Sequence, residues 1–136
     1  MSAAASAEVA KGRAARTAGR FAEAAEFYRH GAALFAASGN PAASASALRH
    51  AVECAVDAGE AAGATADCAT MLAWHEAHAD GSLDADNARR VAARHAAAIG
   101  DIDRARQLWM QARDGYAARS ITAGVEEAEQ ALALLG

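Results

Sequence analysis

The chain has 136 residues, a formal charge of -4, and 54% apolar against 22% charged residues, the balance of one folded domain rather than a disordered segment. The negative balance disfavours general attraction to nucleic acid or anionic membrane, because the sequence-independent part of both affinities needs positive charge at the contact face. No long apolar run is free of charge, Met1 to Ala7 carries no basic leader, and two cysteines make no disulfide framework, so the expected setting is cytoplasmic and away from the membrane.

Roughly a third of the residues are alanine, the strongest helix former, and proline occurs once. In chain order, the punctuation predicts about seven helices joined by very short turns, which favours antiparallel neighbours. Gly19 ends a first helix and opens a second. Ser38-Gly39-Asn40-Pro41 follows: Gly39 suits the left-handed position that closes one helix, Asn40 can cap the next, and Pro41 stands where its missing N–H costs nothing. Gly59 divides the next pair, Asp80-Gly81-Ser82 forms a loop with Ser82 or Asp84 as cap, Gly100-Asp101 repeats the glycine-then-cap pattern, and Ser120 to Thr122 opens a final short helix.

Between these marks the apolar spacing is helical. Phe21, Ala24, Phe27 or Tyr28, Gly31 and Leu34 or Phe35 form one stripe, and Ile102, Ala105, Leu108 or Trp109 and Ala112 another. Leu48, Val52, Ala55 and Val56 stripe the third helix, and Val125, Ala128, Leu132 and Leu135 the last. All are expected to face a core. Gly19, Gly59 and Gly100 stand 40 and 41 residues apart, a period that signals stacked helical hairpins.

These residues resemble the tetratricopeptide repeat (TPR) family in its longer-period form, over nearly the whole chain. Gly12, Gly19, Phe21, Ala24 and Tyr28 stand at the spacings of that family's small residue, turn glycine, aromatic, second-helix alanine and second-helix aromatic. Gly100, Ile102, Ala105, Trp109 and Ala112 repeat the pattern, while the middle unit keeps Gly59, Ala64 and Cys68. The family's aromatic late in the first helix is replaced by Ala15, Ala55 and Ala96, and its closing proline is absent at Ala36, Glu76 and Ala117. The resemblance implies an all-α solenoid over residues 1–136, with three antiparallel hairpins at about 3–39, 40–81 and 82–119 and a capping helix over 120–136.

It also implies that the first helix of each pair lines a concave face. Laying the units over one another puts Arg13, Arg16, Arg49, Glu53, Arg90 and Arg94 there, five of the six basic. Arginine's planar donors would suit an acidic peptide, a C-terminal carboxylate or a phosphorylated segment, whereas solvated charge with Arg49 and Glu53 as an i,i+4 pair is the plainer reading. His75 and His78, flanking Glu76, are weak metal candidates: no third ligand follows at a known spacing. Cys54 and Cys68 flank the Gly59 turn and read as small hydrophobes. No Gly-rich phosphate loop or nucleophile elbow occurs, and carboxylates such as Glu126, Glu127 and Glu129 read as solvated.

The sequence therefore leads to a non-enzymatic module without cofactor that binds a protein or peptide, acidic segments included, and that has surface available for self-association. Two alternatives stand beside it. One is a bundle holding a metal or small ligand among His30, His50, His75, His78 and His95; the other is a regulatory or chaperone module of a transcriptional or secretion system.

Overall fold

A computed structural model describes residues 2–136, and within them the fold is entirely helical. Seven α-helices follow in order: α1 Ala3–Thr17, α2 Phe21–Ala37, α3 Pro41–Asp57, α4 Thr65–His78, α5 Leu83–Ala98, α6 Ile102–Ala118 and α7 Thr122–Leu135. A short 3-10 turn, Ala61–Ala64, precedes α4. No helix is long and apolar enough to cross a membrane.

The helix ends are set locally. After α1, α2, α3, α5 and α6 the chain closes with the same pair of backbone bonds, as in Arg20 N–H to the Ala15 carbonyl with Gly19 N–H to that of Arg16. This closure needs a residue with positive φ, supplied by Gly19, Gly39, Gly59 and Gly100 at 75° to 85°. At the fifth closure the residue is Ser120, at φ 58°. A side chain there crowds the following carbonyl, so Ser120→Gly is expected to stabilise the fold by about 1 kcal/mol, partly offset by a more flexible unfolded chain. Urea unfolding of the two proteins checks it. The opposite ends are capped by side chains: Ser2, Asn40, Ser82 and Asp101 each accept a backbone N–H three residues on, and Pro41 fills the first turn of α3.

Three-residue connections reverse the chain, so α1 lies against α2, α2 against α3, α5 against α6 and α6 against α7, with α3 also touching α5. The core is made chiefly of alanine, with Tyr28, Leu48, Val52, Met71, Leu72, Val91, Leu108 and Trp109 filling the wider spaces. Small residues let helices approach: a side-chain carbon added to Gly12 would lie 3.0 Å from the Tyr28 ring, and one on Gly31 would lie 3.0 Å from Val9. The α6 stripe is buried from Ala105 to Ala112, but Ile102 is 38% exposed. It occupies the first position of the helix. Likewise Phe21, Phe27, Leu34 and Phe35 are only half-buried, while the smaller Ala24, Ala25 and Ala32 fill the interior beside Tyr28.

The middle of the chain packs more loosely. Helix α4 touches α3 and α5 less extensively than the other neighbours touch each other. Its end is held from outside by ions: Arg89 donates to Glu76 and Asp80, and buried Asp86 accepts from Arg119 at 2.9 Å, while Arg119 also reaches the Gly81 carbonyl.

Candidate functional site

The six residues picked from the sequence do not form a free basic row. Arg16 on α1 donates to Glu53 on α3 at 2.6 Å; Arg90 and Arg94 on α5 donate to the same carboxylate at 2.5 and 3.1 Å. Arg90 also grips Glu127 on α7 through two bonds, 2.5 and 2.9 Å, and Arg94 takes Asp57 at 2.7 Å. Arg16, Glu53, Arg90 and Glu127 thus form a ladder of alternating sign that bridges α1, α3, α5 and α7.

Each rung spans 37 residues in sequence. That is about one helical turn short of the glycine interval, so contacts between successive odd helices fall one turn back from equivalent positions. Superposing units on their glycines therefore misses Glu127 and Asp57, whereas a search for opposite charges at a constant offset would have found the ladder. Glu127 is not a solubility residue. Nor is Glu53 the i,i+4 partner of Arg49.

Arg49 stands apart. Its Nε is buried, and its guanidinium makes no hydrogen bond or ion pair among the described residues. It lines an open groove of about 360 Å³ running over α3, α5 and α7, with His50, Asn87, Arg90, Tyr116, Gly124 and Glu127 around it. Arg13 is exposed and also without an ionic partner among the described residues.

Glu53, Arg90, His50 and Tyr116 in the groove are displaced from their ordinary titration ranges. Burial would raise the Glu53 carboxyl, but the hydrogen bonds and charge of Arg90 and Arg16 outweigh it and hold the carboxyl at about 2. The hydrogen bonds that Arg90 donates to Glu127 lift it above the usual arginine range against the cost of burial. Burial, reinforced by the charges of Arg49 and Arg16, lowers His50 to about 4, so its ring is neutral and stacks on Tyr28 at 5.1 Å. Burial pushes Tyr116 up to about 12, and its hydroxyl donates to Asn87 Oδ1 at 2.6 Å.

His50 makes stability depend on pH. The unfolded chain takes up the proton near pH 6.5 and the folded one only near 4, so stability present above 6.5 is lost as pH falls through about 4. After allowance for the solvent that reaches the ring, the loss is roughly 2 kcal/mol. Urea unfolding at pH 7, 5.5 and 4 is expected to show this slope, and His50→Gln to remove most of it.

The histidines are engaged separately. His30 pairs with Glu8 at 3.2 Å, His78 stacks on Trp74 at 4.8 Å, and His95 Nε2 lies 2.9 Å from the Ala61 carbonyl. His75 is buried against the edge of Trp74, and neither ring nitrogen has a hydrogen-bond partner. Its burial follows from sequence after all, since Cys68, Met71, Leu72 and His75 make one stripe of α4. Thus His75 is buried in the core while His78 is exposed, the two meeting different sides of Trp74. No group of three or more potential metal ligands exists among the described residues. Cys54 and Cys68 are both buried and free. Burial raises both thiols, Cys68 to about 11, which keeps them protonated.

No family model, curated protein or solved structure matches this chain.

Proposed function

We propose that the chain is a non-enzymatic interaction module of TPR-like build, in which the odd-numbered helices present an inner face to a peptide segment carrying negative charge. The observation that carries this reading is Arg49: a guanidinium without a protein partner, in a groove whose other charges are already paired. An arginine left this way gains more from an incoming carboxylate or phosphate than its ion-paired neighbours can. The groove's fixed protonation states favour recognition over proton transfer, which works best with a group near the operating pH. The contact of Gly12 with the Tyr28 ring and the recurring glycine closures support the TPR-like reading of the framework.

Fluorescence anisotropy with labelled decapeptides of acidic, neutral and basic composition tests it. The acidic series is expected to bind best, and Arg49→Ala to weaken it by about tenfold, the loss of one charge-assisted contact. Arg13→Ala serves as an exposed-charge comparison. Equal binding of all three compositions, or acidic binding untouched by Arg49→Ala, would overturn the proposal. Reversing Arg90 or Arg94 is uninformative, because both hold the ladder together.

A further inference from the structure

A second recess lies away from that face, between α4, α5 and α6. It has a volume of about 170 Å³, and Leu72, Ala92, Ala96, Ile99 and Leu108 make its apolar wall. Its opening has a sequence cause: the loose seat of α4 leaves a gap that the short side chains of Ala69, Ala92 and Ala96 do not fill. At one end the polar groups are already satisfied, since His95 Nε2 lies 2.9 Å from the Ala61 carbonyl and Thr65 Oγ1 donates to Ala62.

The rim differs. Asp101 is occupied in capping α6 through the Arg104 backbone N–H, but the Arg104 side chain is exposed and has no ionic partner among the described residues. Its side chain lines the recess together with Cys68, so it stands where it can meet an anion whose body enters the cleft. A cavity of about 150 Å³ lined by aliphatic side chains takes one benzene ring.

The geometry points to a site for a small amphiphilic anion, a free monocarboxylate with an apolar body of about six carbons seated on Leu72, Ile99 and Leu108 and its carboxylate on Arg104. The recess is walled by three helices and has the size of a single ring, which suits a free molecule better than a length of backbone. It is independent of the Arg49 groove, whose lining residues it does not share.

The test is a titration of the full chain followed by amide and methyl NMR shifts, with benzoate as the probe and benzyl alcohol as its uncharged counterpart. Benzoate is expected to produce saturable shifts at Ala92, Ala96 and Leu108 in the low-millimolar range or below, with benzyl alcohol weaker. Arg104→Gln, at an exposed position, is expected to weaken benzoate about tenfold and leave benzyl alcohol unchanged. Ala69→Leu, which narrows the mouth, is expected to exclude both. Absence of saturation up to about 10 mM overturns the site. So do equal affinities for the two probes, or benzoate shifts that Arg104→Gln leaves untouched; should Ala69→Leu disturb the fold, the Arg104 comparison decides alone.

Discussion

Glu53→Gln is expected to destabilise the protein by about 3 kcal/mol, lowering the melting temperature by roughly 10 °C. Glu53 is 8% exposed and its carboxylate meets Arg16, Arg90 and Arg94 at once. An amide of the same shape still accepts a hydrogen bond but supplies no negative charge, leaving Arg16 on α1 without a carboxylate and facing Arg90 and Arg94 on α5, which keep only Glu127 and Asp57. Removing one member of a buried ion group costs more than the group itself contributes, because the partners stay desolvated. A cycle with Arg90→Gln separates the two effects: the double variant is expected to recover about 1 kcal/mol relative to the sum of the single ones. Acid unfolding gives a second reading. Since the folded carboxyl titrates near 2 and the unfolded one near 4.3, its contribution is complete above the unfolded value and is lost as pH falls through 2. Glu53→Gln should therefore flatten the wild-type loss of stability below about pH 4.5. Additive single losses with an unchanged acid limb would mean that the ladder contributes nothing beyond surface charge.

The helices were legible in the sequence because their ends are decided within a few residues. A glycine at positive φ and an acceptor side chain before the next helix act locally, and Gly19, Gly39, Gly59 and Gly100 stand where the chain turns. Ser120 escaped this logic: its closure has the same bonds as the others, but the residue gives no sign of a left-handed backbone. The 3-10 turn before α4 was equally silent. The candidate site was legible in its residues and not in its pairing. Arg16, Glu53, Arg90 and Arg94 do share one face, yet whether that face is a basic groove or a neutral ladder depends on Asp57 and Glu127. Their places are fixed by how far successive helices slide past each other, a property of packing between elements. Arg49 became distinctive only by elimination, once the other arginines had found partners.

Gly124→Ala is the second large loss expected, about 2 kcal/mol net and roughly 6 °C, although alanine is the better helix former at an interior helical position. Gly124 lies in the first turn of α7, and a methyl group on it would stand 2.5 Å from Cγ of the Tyr116 ring and 2.7 Å from Cδ2. These are atoms at the root of the ring, which cannot swing aside as a chain end would. Tyr116 is buried and its hydroxyl is tied to Asn87, so either that hydrogen bond breaks or α7 moves away from α6. Movement of α7 would also pull Glu127 from Arg90 and uncover Ala128, the one fully covered residue of the helix. The loss should therefore appear locally, as faster amide exchange over residues 122–135 with α2 and α3 unchanged. Gly63→Ala supplies the contrast: nothing lies within 4 Å of its added carbon, and the same substitution there is expected to shift stability by less than about 0.5 kcal/mol. If the two alanine variants melt together, the ring does not rest on Gly124, and the terminal helix is held by something other than this contact.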